Sequence, residues 1–213
     1  MIGSRSPPIG YRQVPGHAMY DDPDKMAIKE EAMSRCYEQI QSVLRVQDPV
    51  PGFSSKGPAL ITNYLYLGDF GDAASLGLLS ELGITHLLNC AGVASNGGYF
   101  RPPLGGGASP RCYKQLEALD REDYDMLSHF DEACQYIDEA RSSRGKVLVY
   151  CMRGVNRSAA ICVAYLMARD NADLCAAVTE VAFARGQVLT NPGFQRQLVE
   201  FAAKHNRLPV GDE

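Results

Sequence analysis

The sequence predicts an α/β protein, a central and mostly parallel twisted sheet flanked by helices. Three observations predict it. From residue 60 onward, short apolar runs of strand length alternate with helix-like stretches, and helices then dominate. Lys146–Tyr150 is apolar without alternation, as in a strand covered on both faces. Ser158–Arg169 is apolar nearly all round, the mark of a buried central helix.

Taken in order, residues 1–23 are rich in Pro, Gly, Tyr and Asp, lack an apolar period and read as a flexible tail. From Asp24 to about Val46, Met26, Ile28, Met33, Cys36, Ile40, Val43 and Leu44 recur at helical spacing, predicting an amphipathic helix packed on the domain. Docking a partner or bordering the active site is the alternative for it. Pro49–Gly52 with Ser54-Ser55 ends it as a linker, so residues 24–57 form helix and linker. Leu60–Gly68 reads as one or two short strands around a turn at Asn63. Ala73–Leu82 is a short helix stopped by Gly83, and Ile84–Cys90 is a strand. Residues 91–111 fit no regular element: eight glycines and prolines fall between Gly97 and Pro110, predicting a surface loop able to overhang a binding site. Cys112–Leu119 alternates as a strand. An acidic loop, Asp120–Asp125, leads to a helix face of Met126, Leu127, Phe130, Ala133, Cys134, Ile137 and Ala140. Asp173–Arg185 is a helix ended by Gly186, and Asn191-Pro192 is the N-cap and first residue of a last helix reaching about His205. The compact domain is thus expected over 58–205, with 206–213 as a tail.

Hydrophobic content of 46% and charged content of 22% are those of a globular protein, and the net charge of −4 gives no field that favours nucleic acid or anionic membrane. Seven cysteines, an odd number without a CxxC or a His/Cys cluster, argue for reduced thiols and against a disulfide framework or zinc site. The opening residues lack the apolar core of a secretory signal, Gly3 sits one place too late for myristoylation, and Ala159–Ala168 is half a membrane span. The expectation is a soluble protein of the cytosol or nucleus, with no membrane and no nucleic-acid partner.

The chemistry concentrates in Val147–Ser158. A strand ends at Cys151, a helix begins near Ser158, and Arg157 follows Cys151 with Met152, Arg153, Gly154, Val155 and Asn156 between them. Backbone amides in such a loop, with the helix dipole behind them, encircle an anion of phosphoryl size. A thiol there ionises readily and becomes a nucleophile. An arginine closing the loop grips two oxygens of a phosphate, and Ser158 can hydrogen-bond the sulfur. The pattern implies a cysteine-dependent phosphatase; the rival for the cysteine alone is an inert buried thiol. Attack on a phosphate ester needs a proton donor, and Asp120, directly after a strand, is the best-placed candidate. Asp123 and Asp125 read as loop-solvating or capping residues, and His86 and His129 as structural. Cys90 ends a neighbouring strand; beside the reading as a buried strand thiol stands a reversible disulfide with Cys151.

These stretches resemble the dual-specificity branch of the protein tyrosine phosphatases. The likeness runs over about residues 58–204, through Tyr64–Gly68, Leu82–Asn89, Tyr150–Ser158 with Ala159-Ala160 and Ala164–Met167, and Asn191–Leu198. The resemblance implies that fold, Cys151 as nucleophile, Arg157 as phosphate clamp, Ser158 assisting release from a phosphocysteine, and Asp120 as general acid. It implies phosphoprotein substrates carrying phosphotyrosine and phosphoserine/threonine, and no metal or cofactor. The chain departs from the pattern at Tyr150, where the family usually has a histidine that orders the loop and favours the thiolate, and in the long 91–111 segment. Rival readings are a phosphatase of phosphoinositides or RNA 5′ phosphates, a catalytically weak or inactive phosphoprotein-binding module, and a sulfur-transfer or arsenate-reducing enzyme.

Overall fold

Four consecutive residues, Val147–Tyr150, form the centre of the sheet and are wholly buried on both faces. In this computed structural model the described residues are 23–45, 57–92 and 110–209. Nearly all of the expected N-terminal tail, most of the linker before the domain, most of the 91–111 loop and residues 210–213 lie outside them.

In chain order the elements are α1 (Pro23–Arg45), β1 (Ala59–Leu60), β2 (Leu65–Gly68), α2 (Phe70–Ala74), α3 (Leu76–Leu82), β3 (His86–Asn89), β4 (Cys112–Gln115), α4 (Phe130–Ser142), β5 (Val147–Tyr150), α5 (Arg157–Arg169), α6 (Leu174–Arg185) and α7 (Pro192–Lys204). The sheet order is β1-β2-β5-β3-β4. β1 runs antiparallel to β2, and the other three pairings are parallel, with Val147 level with Leu65 on one side and His86 on the other. The fold is therefore α/β, with a five-stranded, mostly parallel sheet flanked by helices.

Alternation along β5 divides the core. Val147 and Val149 face the larger layer, with α5 at its centre, and Leu148 and Tyr150 face a smaller cluster of Tyr66, Ala73, Leu79, Ile84 and Leu87. α5 packs against α4, α6 and α7, and α1 lies outside them against α6 and α7. The amphipathic helix expected from Asp24 is thus packed on the domain, with Cys36 and Ile40 buried.

Three elements differ from the sequence expectation. The helix expected at 73–82 begins earlier and breaks. Asp69 and Asp72 form a reciprocal capping box that starts α2, and Ser75 leaves helical geometry at ψ 88° before α3 begins. β4 stops at Gln115 rather than Leu119, because β3 ends at Asn89: the Leu116 amide takes the last carbonyl, that of Asn89, at 2.8 Å. Leu116 and Ala118 stay buried beyond the ladder, which is why the alternation continues. The Met126 helix starts as a 3-10 turn, Leu127–His129, with Asp125 Oδ1 accepting the Ser128 amide, and becomes α4 at Phe130. The caps at Gly83 and Asn191 lie where the sequence places them, and Asp173, expected as the first residue of its helix, is the N-cap of α6.

Candidate active site

The carboxyl end of β5 delivers Cys151 into the turn that starts α5, at the sheet edge where loops of parallel strands gather. Met152 and Arg153 are exposed beside it, whereas Gly154 is buried. Gly154 has φ +64°, and a Cβ there would lie 2.6 Å from Arg185 Nη2 and 2.7 Å from the Gly68 carbonyl oxygen. Only glycine fits between β2 and the end of α6. Arg185 is buried beneath the loop. It donates to the Gly57 carbonyl at 3.1 Å and pairs with Asp69 at 3.2 Å and Asp72 at 3.6 Å. Burial pushes the Asp72 carboxyl up, against the opposing pull of the Asp69 amide and of Arg185. The far side of the loop is tied by the Leu189 amide, which donates to the Val155 carbonyl at 2.8 Å.

Cys151 is 1% exposed, and the Ser158 hydroxyl donates to its sulfur at 3.2 Å. Burial opposes ionisation of this thiol. It is outweighed by the Ser158 hydroxyl and amide, the Arg157 charge and the Arg153 amide, so Cys151 is held below an ordinary thiol. Cys90 and Cys162 lie in the same buried region and are pushed up by burial and then by the charge of Cys151. One thiol of the three is thus favoured to ionise.

Arg157 is the first residue of α5 and is 8% exposed. Its Nη1 donates to the Ala91 carbonyl at 2.7 Å and the Ala118 carbonyl at 3.2 Å, fixing the guanidinium between the segments that follow β3 and β4. Its Nε is buried without a hydrogen-bond partner and lies 4.0 Å from Asp120 Oδ2. A buried donor with no partner is costly unless a ligand oxygen completes it.

Asp120 reaches the loop from the other side. Its two carboxylate oxygens accept from Asn156 Nδ2 at 3.2 Å each, and Oδ1 also accepts from Asn191 Nδ2 at 3.0 Å. Asn156 Oδ1 in turn accepts the Thr190 hydroxyl and the Asn191 amide, both at 3.1 Å. Asp123 pairs with Arg121 on the surface, and Glu122 with Arg196 at 2.5 Å. The acid loop rests directly on α7, since a Cβ on Gly193 would lie 1.9 Å from the Glu122 carbonyl oxygen.

The structure therefore brings Cys151, Arg157, Ser158 and Asp120 together. Tyr150, at the position expected to hold histidine, is wholly buried in the smaller cluster. Sequence reasoning missed Arg185 with Asp69 and Asp72, and it missed the second role of Asn191, read only as a helix cap. Asn156 was counted for its backbone, while its side chain joins the loop to Asp120. Among the described residues no group of three or more His, Cys, Asp or Glu side chains is placed to hold a metal ion, and no helix is long and apolar enough to cross a membrane.

A family model described as dual specificity phosphatase, catalytic domain, matches residues 65–204. Dual specificity protein phosphatase 1 of Arabidopsis thaliana is 36% identical over 172 residues, covering 79% of this chain and 81% of that protein. Dual specificity protein phosphatase 4 of Homo sapiens is 37% identical over 150 residues, covering 70% of this chain but 35% of that longer protein. Among solved structures, DUSP15 aligns with a TM-score of 0.63 at 28% identity, covering 72% of this chain and 93% of its own. The human tyrosine phosphatase-like serine/threonine/tyrosine-interacting protein aligns with a TM-score of 0.63 at 28% identity, over 71% of this chain and 99% of its own.

Proposed function

Since the chain belongs to the dual specificity phosphatase family and is a protein phosphatase, we propose that it hydrolyses phosphotyrosine and phosphoserine/threonine by two in-line displacements at Cys151. The Cys151 thiolate attacks phosphorus while Asp120 protonates the departing oxygen. Arg157 and the amides of residues 152–157 hold the equatorial oxygens, where negative charge resides during phosphoryl transfer. Asp120, now a base, activates water against the phosphocysteine, and the Ser158 hydroxyl receives the returning thiolate. No step calls for a metal or cofactor.

The observation that carries this reading is the opposition of two groups across the loop. A thiol held low by Ser158 faces an arginine whose buried Nε has no partner, with a carboxylate 4.0 Å from that same nitrogen. Tyr150 favours a second reading, a phosphoprotein-binding module that keeps the loop without turnover. The name of the human structural neighbour contains both "phosphatase-like" and "interacting", so both readings have a precedent in relatives.

Hydrolysis of a small aryl phosphate by wild type and by Cys151→Ser separates them. Vanadate-sensitive turnover in the wild type, abolished in the variant, is the expected result. Phosphopeptide binding by the wild type without any turnover would establish the binding module instead.

A further inference from the structure

The end of the sheet opposite Cys151 carries a cavity of about 300 Å³, lined by Asn63, Tyr64, Arg141, Arg144, Gly145 and Lys146. Lys146 directly precedes β5 and Cys151 directly follows it, so the whole strand separates this cavity from the candidate active site. Three of the lining residues are cations and none is a carboxylate. In a chain of net charge −4, that is a local excess of the opposite sign.

Among the described residues, none of the three cations is in an ion pair. Lys146 Nζ donates to the Leu82 carbonyl at 2.9 Å and the Tyr66 hydroxyl at 3.5 Å, both neutral. The Arg141 guanidinium lies over the Tyr64 ring, 5.0 Å from its centroid. Asp138, three residues before Arg141 on α4, is already taken by Arg169 at 2.6 Å and by the Tyr165 hydroxyl at 3.0 Å.

The end of α4 does not use the arginine side chains either. Its last carbonyls accept elsewhere: Glu139 from the Ser143 amide at 3.1 Å, Ala140 from the Gly145 amide at 2.8 Å and the Ser143 hydroxyl at 2.9 Å, and Arg141 from the Arg144 amide at 3.0 Å. Arg144 stands at φ +56°, the left-handed position after a helix that glycine usually fills. Its guanidinium lines the cavity and makes no hydrogen bond or ion pair among the described residues. A strained backbone position given to an unpaired cation points to a ligand for that cation.

We propose that this cavity is a second phosphoryl site, which holds free phosphate or a phosphate monoester without hydrolysing it. Two guanidinium forks three residues apart grip phosphate oxygens, Asn63 offers an amide, and Lys146 adds charge. A phosphoryl dianion suits three cations better than the single charge of a carboxylate. The lining holds no thiol and no acid, and the Tyr64 hydroxyl is bonded to that of Tyr165 at 3.1 Å, so the bound group is kept rather than cleaved. A protein phosphatase meets this chemistry twice, on its substrates and in the phosphate it releases. The site is independent of the mechanism proposed at Cys151.

The test uses the full chain as Cys151→Ser, isotope-labelled and read by amide and arginine side-chain NMR. Inorganic phosphate is titrated in one arm and a phosphoserine peptide in the other, each against sodium chloride at matched ionic strength. The expected result is saturable shifts at Arg141, Arg144, Gly145 and Lys146, with none from chloride. Shifts at residues 152–157 report the active-site loop separately, so failure of one site is read apart from failure of the other. Arg144→Gly keeps the left-handed turn and removes the guanidinium. It should weaken binding at this end by about tenfold or more, leaving the 152–157 shifts as they were and the thermal midpoint no lower. Tighter binding of the peptide assigns the site to phosphoproteins, and tighter binding of inorganic phosphate assigns it to the free ion. No saturable shift at these residues, shifts that chloride reproduces, or Arg144→Gly binding like its parent overturns the proposal.

Discussion

Ser158→Ala isolates the group that ionises the proposed nucleophile. Ser158 is wholly buried in the first turn of α5, its hydroxyl bonds the Cys151 sulfur at 3.2 Å, and alanine fits the site without new contacts. A hydrogen bond to a charged group contributes about 1.5–3 kcal/mol, so its loss lowers the thiolate population by about 10- to 150-fold below the titration. The Ser158 and Arg153 amides and the Arg157 charge remain, so part of the lowering survives. The sign follows from which form reacts. The thiolate is the nucleophile, so a less favoured thiolate moves the reactive limb to higher pH. A more basic thiolate is also intrinsically more reactive, with a Brønsted coefficient of about 0.4–0.5. Iodoacetamide alkylation of the variant should therefore be about 4- to 16-fold slower below the limb and about 3- to 10-fold faster above it, from the same coefficient. The crossing is the signature, since a merely distorted loop would lower the rate at every pH. The same loss weakens thiolate departure from the phosphocysteine, so an aryl phosphate should give a burst and then slow turnover. Alkylation profiles that superimpose would refute the assignment of Ser158.

Asp120→Ala should slow phosphotyrosyl-peptide turnover by about 10²- to 10⁴-fold and an ester with a strongly acidic leaving group far less, because such a group leaves without a proton. Equal losses on the two substrates would remove Asp120 from the role of acid. Gly154→Ala combines a left-handed residue with contacts at 2.6 and 2.7 Å, costing about 2–5 kcal/mol and lowering the thermal midpoint by roughly 5–20 °C. A midpoint within a degree of wild type by scanning calorimetry would contradict the packing described. Tyr150→His should raise kcat/KM by roughly tenfold at neutral pH, about the worth of one hydrogen bond to a charged group. It should also cost about 1–3 kcal/mol by placing a polar ring in the smaller apolar cluster. Kinetics and melting of the same preparation check both, and a slower variant would mean that Tyr150 is not what limits the loop.

Legibility in the sequence follows how local each signal is. The buried strand, the Cys151-to-Arg157 spacing, the run of α5 and the cap at Asn191 are written within a dozen residues of where they act, and all were readable. Arg185 was not: it closes α6 in sequence, where a basic residue near a helix end needs no other reason. Its burial under Gly154 depends on α6 packing against β1, so that Arg185 and the end of β2 meet the loop together, which no local pattern encodes. The early start of α2 had a readable signal, the Asp69/Asp72 capping box, whereas the break at Ser75 had none, and the leucines after it read as one continuous helix. The early end of β4 had none, because Leu116 and Ala118 keep strand-like alternation after the partner strand has turned away.

The position of Asp120 is set by two amides whose orientation is decided elsewhere. Asn191 Oδ1 accepts the Gly193 and Phe194 amides as the cap of α7, which leaves its Nδ2 to face Asp120. Asn156 Oδ1 accepts Thr190 and the Asn191 amide, which turns its Nδ2 to the same carboxylate. A helix cap and a side chain of the phosphate loop thus aim donors at one group, and neither can rotate without leaving a backbone amide unpaired. Asn156 directly precedes Arg157, so a change in the loop reaches Asp120 through one side chain. Asp120, the proposed proton donor, and Arg157, the proposed phosphate clamp, are therefore held in one register. That coupling explains how a carboxylate on an exposed loop, 36 residues from Asn156 in sequence, keeps its register with a thiol buried at the end of the central strand.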